Sequence, residues 1–75
     1  MKVWILMNYI GDFDQLIGVF SSEQNAIKFV ENMCKEKPVF EGNSKDDIKD
    51  WFCDKGENRG LYQIYTSELD APLRF

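Results

Sequence analysis

From Val3 to Ile10 the chain is almost continuously apolar, the pattern of a strand lying centrally in a small sheet. Alternation puts Val3, Ile5, Met7 and Tyr9 on one face and Trp4, Leu6, Asn8 and Ile10 on the other. Gly11-Asp12-Phe13-Asp14 supplies turn chemistry, and a second apolar run, Leu16 to Phe20, follows at hairpin distance. An antiparallel pair is predicted. Ser21 and Gln24 then have the S-x-x-Q spacing of a capping box. Beyond it Ala26, Ile27, Val30, Met33 and Cys34 recur at helical spacing, with Phe29 on the margin and Lys28, Glu31, Asn32 and Lys35 opposite. Pro38 stops this helix, because it lacks an amide hydrogen and biases Lys37 out of the α region.

Val39 to Asn43 reads as a linker. Ser44 with Asp47 gives a second cap signal, and Ile48, Trp51 and Phe52 fall at i, i+3 and i+4, so a shorter helix is expected over 44–55. Gly56 suits its left-handed cap. After the loop Asn58 to Gly60, "LYQIYT" (61–66) is rich in β-formers and reads as a third strand. These elements predict one α+β domain over residues 1–75, in the order β-β-α-α-β. Its three-stranded antiparallel sheet has strand order 2-1-3 and is packed by a main helix and a shorter second helix. One sheet face carries the main helix. The other is left to the second helix, to a partner chain or to solvent, with Trp4, Tyr62 and Tyr65 as candidates for what stays uncovered.

Size and charge narrow the function. A chain of 75 residues buries only about 60 to 65% of its unfolded surface, so its six Phe, three Tyr and two Trp must thicken a thin core. Thirteen acids against nine bases give a net charge of −4 with no Lys/Arg cluster, which argues against direct nucleic-acid binding. Acids concentrate at Glu41, Asp46, Asp47, Asp50, Asp54 and Glu57, facing Lys45, Lys49 and Lys55. Two readings stand: a solvated helix face, or an acidic patch that docks on a basic partner. On the second, Asp46, Asp47, Asp50, Trp51, Asp54 and Glu57 are the partner-binding candidates, together with Trp4, Tyr62 and Tyr65. Cys34 and Cys53 are expected as buried free thiols, or alternatively as a bridge between the two helices. "MKVWILMNYIGD" has neither the flanks of a signal peptide nor the length of a membrane span, so a cytoplasmic protein is expected.

Chemistry is sparse. With no histidine, Ser-His and Cys-His catalysis within one chain are excluded. Asp12 and Asp14 are too few for calcium, and the calcium-loop-like "DKGENRGLYQIY" has Gly60 one place late and Tyr65 where the loop needs Glu. The glycines form no phosphate loop. No enzyme activity, cofactor or metal is expected. The remaining options are surfaces: a sheet edge open to strand addition, the acidic segment 44–55, and the tail "APLRF", whose Pro72, Leu73 and Phe75 could anchor in a neighbour.

"VWILMNY", "LIGVFSSEQNAIKFVE" and "YQIYTSELD" together resemble a family of small phage and bacterial proteins without an assigned biochemical role. The shared features are an apolar first strand, an I-G-V-F-S-S run leading into a helix, and a last strand ending near E-L-D. They span a little over half of the chain, and 37–60 departs from the pattern. No functional residues carry over. The resemblance implies a phage-type accessory protein that inhibits or modulates a host protein or nucleoprotein complex stoichiometrically, in the manner of an anti-CRISPR protein. Two alternatives remain: an oligomer that sequesters a small ligand such as a nucleotide signal, with Trp4 or Tyr62 stacking on the base, and a structural homodimer joined by edge strands or the C-terminal tail.

Overall fold

The computed structural model describes residues 1–10, 13–54 and 56–68, with side chains 10, 13 and 14 set aside. The Gly11-Asp12 part of the expected first turn, the helix end at Lys55 and the tail "APLRF" lie outside the described residues.

The sheet has five strands, not three. In chain order the elements are β1 (Lys2–Ile10), β2 (Phe13–Phe20), α1 (Glu23–Cys34), β3 (Val39–Lys45), β4 (Ile48–Cys53) and β5 (Gly60–Glu68). All pairings are antiparallel, in the order β2-β1-β5-β4-β3. An N-terminal hairpin (β1–β2) and a C-terminal meander (β3–β4–β5) join where β5 pairs with β1, so the first and last strands lie at the centre. The charged amino terminus of Met1 reaches Glu68 at 3.3 Å across this join.

The expected second helix is absent. Residues 44–53 instead end β3, turn at Asp46-Asp47 and form β4. The backbone amide of Thr66 donates to the Asp47 carbonyl at 2.9 Å, tying that turn to β5. As a strand, β4 sends Ile48, Asp50 and Phe52 to one face and Lys49, Trp51 and Cys53 to the other. Ile48 and Cys53 are buried on opposite sides, which one short amphipathic helix would not achieve so economically.

The main helix forms as its stripe requires, with its start moved by one residue. Ser22 is the cap: its backbone is extended and its hydroxyl accepts from the Asn25 amide at 3.1 Å. Ser21 accepts only from the Asn25 side chain, at 3.4 Å. At the other end Lys35 adopts the left-handed conformation (φ 57°), and Asn58 Nδ2 donates to the Met33 carbonyl at 2.9 Å, satisfying a helix-end acceptor.

α1 packs across β2, β1 and β5. Beneath it lies the main core: Leu6, Ala26, Val30, Cys34, Cys53, Tyr62 and Ile64, with Trp4, Ile17, Phe20 and Trp51 at its margin. A smaller apolar cluster, Ile5, Met7, Ile48 and Tyr65 with Val3, occupies the opposite face. Of the outer strands, β4 still meets the helix, with Cys53 in this core, whereas nearly all of β3 is exposed.

Candidate functional site

The carboxylates that a helix would have gathered are spread along a hairpin. Asp46 and Asp47 sit exposed at its tip, while Asp54 follows β4 at its far end; seven residues of extended chain place these groups about 23 Å apart. Glu57 is exposed in the next loop. Asp50 is half-buried, its Oδ1 accepting from Gln63 Nε2 at 3.0 Å and from the Ser44 hydroxyl at 3.2 Å. Tyr65 donates to Gln63 Oε1 at 3.1 Å, so a polar chain runs Tyr65–Gln63–Asp50–Ser44 across β5, β4 and β3. Lys49, on the other face, pairs with Glu23 of α1 at 3.1 Å.

The four aromatic candidates divide as sharply. Tyr62 is fully buried and Tyr65 nearly so, which makes both of them framework, and Tyr62 has no face free to stack on a base. Trp4 and Trp51 are half-buried against the main core. Trp51 packs on Phe40 with ring centroids 5.0 Å apart, and its indole Nε1 is buried without a hydrogen-bond partner.

Exposed apolar side chains form a different surface. The register aligns Val39 with Phe52, Phe52 with Leu61, and Leu61 with Tyr9. These four lie on the face away from α1, in one row across β3, β4, β5 and β1 that spans about 14 Å at ordinary strand spacing. Val39 is 60% exposed, Tyr9 47% and Phe52 38%, and Phe40, 48% exposed, extends the patch around the edge. Asp50 borders the row on one side, sharing the alternation of Phe52 along β4, and Asp54 follows the end of that strand on the other. Of the partner-binding candidates drawn from sequence, only Asp50 and Asp54 flank this row, and the apolar residues at its heart were missed. Their signal was adjacent apolar pairs, Val39-Phe40 and Trp51-Phe52, which in strands point to both faces.

Two buried groups, Cys53 and Tyr62, are held in their protonated forms. Burial, and next to it the neighbouring Cys34 thiol, pushes the Cys53 thiol up to about 12, leaving it protonated at neutral pH. Burial also raises Tyr62, whose hydroxyl donates to the Asn58 carbonyl at 2.6 Å. Among the described residues no three metal-ligating side chains converge, and the Asp12–Asp14 pair lies outside those whose side chains are described. A cavity of about 430 Å³ at the hairpin tip is lined by Lys45, Asp46, Asp47 and Ile48. No helix among the described residues is long and apolar enough to cross a membrane.

No family model, curated protein or solved structure matches the chain. The phage, anti-CRISPR and homodimer expectations therefore have nothing beneath them and are withdrawn, and the label α+β fits only loosely a fold that is mostly sheet.

Proposed function

We propose that this protein is a non-enzymatic binding module whose working surface is the row Val39–Phe52–Leu61–Tyr9, with Phe40 at its edge. The exposure of Val39, Phe52 and Tyr9 in that row, on the sheet face opposite the helix, carries the reading: apolar side chains aligned by register and left to solvent are the usual mark of a contact surface. Asp50 and Asp54 beside it, and the net charge of −4, favour a polypeptide partner that presents apolar side chains flanked by Lys or Arg. The partner is a protein, alone or within a nucleoprotein complex, met in a reducing cytoplasm where Cys34 and Cys53 stay free.

The test is affinity capture from the source cells with the wild-type protein, the apolar variant Val39→Ser/Phe52→Ser and the charge variant Asp50→Lys/Asp54→Lys. A basic partner should be retained by the wild type and lost from both variants, each of which must first show a native circular dichroism spectrum. Equal retention by all three would overturn the assignment.

A further inference from the structure

Two nucleophilic side chains lie outside the proposed surface, and the fold brings them together. Cys34 is the last residue of α1 and Cys53 the last of β4. Both belong to the main core, and the Asp54 amide next to Cys53 donates to Glu36 Oε1, two residues beyond Cys34, at 3.2 Å. Cys34 Sγ also donates to the Asn58 carbonyl at 3.6 Å, the acceptor that Tyr62 uses. A disulfide needs its two sulfurs at ~2.05 Å and its Cα atoms roughly 4.4 to 6.8 Å apart. The pair sits where the backbone is least regular: α1 ends at Cys34 and the next residue has left the helix in a left-handed turn.

We propose that Cys34 and Cys53 form a latent disulfide, closed by exchange with a low-molecular-weight disulfide of the oxidised-glutathione type. Cys34 reacts first: it is 6% exposed at a helix end that can open locally, whereas Cys53 is fully buried in a strand. Its thiolate attacks one sulfur of the external disulfide, forming a mixed disulfide and releasing one external thiolate, which takes up a proton. Cys53 then attacks Cys34 Sγ, passing its proton to the departing sulfur, and the second external thiol is released. Two protein thiols and one external disulfide become one protein disulfide and two external thiols, with both electrons passing to the external pair. The bond would staple the end of α1 to the end of β4 and close a loop that contains all of β3.

The folded protein is incubated with oxidised glutathione and followed by intact mass, thiol titration and melting temperature. The expected product is a monomer lighter by two hydrogens, with no titratable thiol and a melting temperature higher by roughly 10 °C. Cys53→Ala should stop at one glutathione adduct on Cys34, and Cys34→Ala should take none while folded. The proposal is overturned if both wild-type thiols remain titratable after exposure, if the bond forms between two chains, or if it lowers the melting temperature. Wild-type mass and thiol count decide the matter even where an alanine variant fails to fold.

Discussion

Replacing Leu6 by Ala tests the packing of the helix on the sheet most directly. Leu6 is fully buried at the middle of β1, in one cluster with Val30, Ala26, Tyr62 and Ile64. Removing its isobutyl group loses transfer free energy and leaves a hole between helix and sheet, a loss of about 3 to 4 kcal/mol. A folded chain of this size has a total stability of roughly 4 to 11 kcal/mol, so the variant should be close to unfolding. With a urea dependence of about 1 kcal/mol per molar, the midpoint should fall by roughly 3 M. Leu16→Ala is the internal control. Leu16 lies on the neighbouring strand, opposite Met7, on the face away from α1, and is 58% exposed. The same chemical change there should cost under about 0.5 kcal/mol. Because a slip of one residue in β1 would send Leu6 to the other face, comparable losses at the two sites, or a loss under about 1 kcal/mol at Leu6, would refute the assigned register.

Three further outcomes check other parts of the structure. Ser22→Ala should destabilise the protein by about 1 kcal/mol in urea titration while Ser21→Ala stays within about 0.5 kcal/mol, because only the Ser22 hydroxyl accepts from a helix-end amide. Lys35→Gly should raise stability by up to about 1 kcal/mol, since glycine adopts the left-handed conformation without the steric cost that lysine bears there. The Cys53 thiol is raised in the folded state, so the unfolded chain loses that proton first as pH increases; stability should hold below pH 9.0 and fall between 9.0 and about 12, and Cys53→Ala should flatten that decline in melting temperature.

The parts of the fold legible in the sequence are those whose local preferences agree with their tertiary surroundings. β1 is apolar on both faces because it is central and buried between α1 and the smaller cluster, and the Ala26, Val30, Cys34 stripe is the line that α1 buries. The segment 39–54 misleads for an identifiable reason. Ser44 and Asp47 have the spacing of a helix cap, but Ser44 bonds Asp50 and Asp47 offers its carbonyl to β5. Ile48, Trp51 and Phe52 fit helical spacing and are equally good β-formers, and pairing with β5 decides between the two. Asp46-Asp47 lacks the glycine that makes a hairpin turn conspicuous, and Gly42, Asn43 and Ser44 hide an edge strand among weak strand formers. For the candidate site, charge density drew attention to the carboxylates, but register alone reveals which side chains share a row.

β3 also shows how a partner would approach. An edge strand with exposed Val39 and Phe40 would ordinarily invite another strand to pair with it. Here the register shifts twice, between Phe40 and Gly42 and again between Asn43 and Lys45, and Gly42 has φ 115°, a conformation that L side chains rarely adopt. Such bulges break the even spacing of amide and carbonyl groups that an incoming strand needs, and they raise the local twist. The edge is therefore a poor template for backbone pairing, although its side chains remain on display. Contact through side chains on the face, anchored at Phe52 and Val39, is the mode that this geometry leaves open. It also explains why the segment with the weakest local folding signal carries the surface: residues positioned for a partner need not agree with the preferences that build a core.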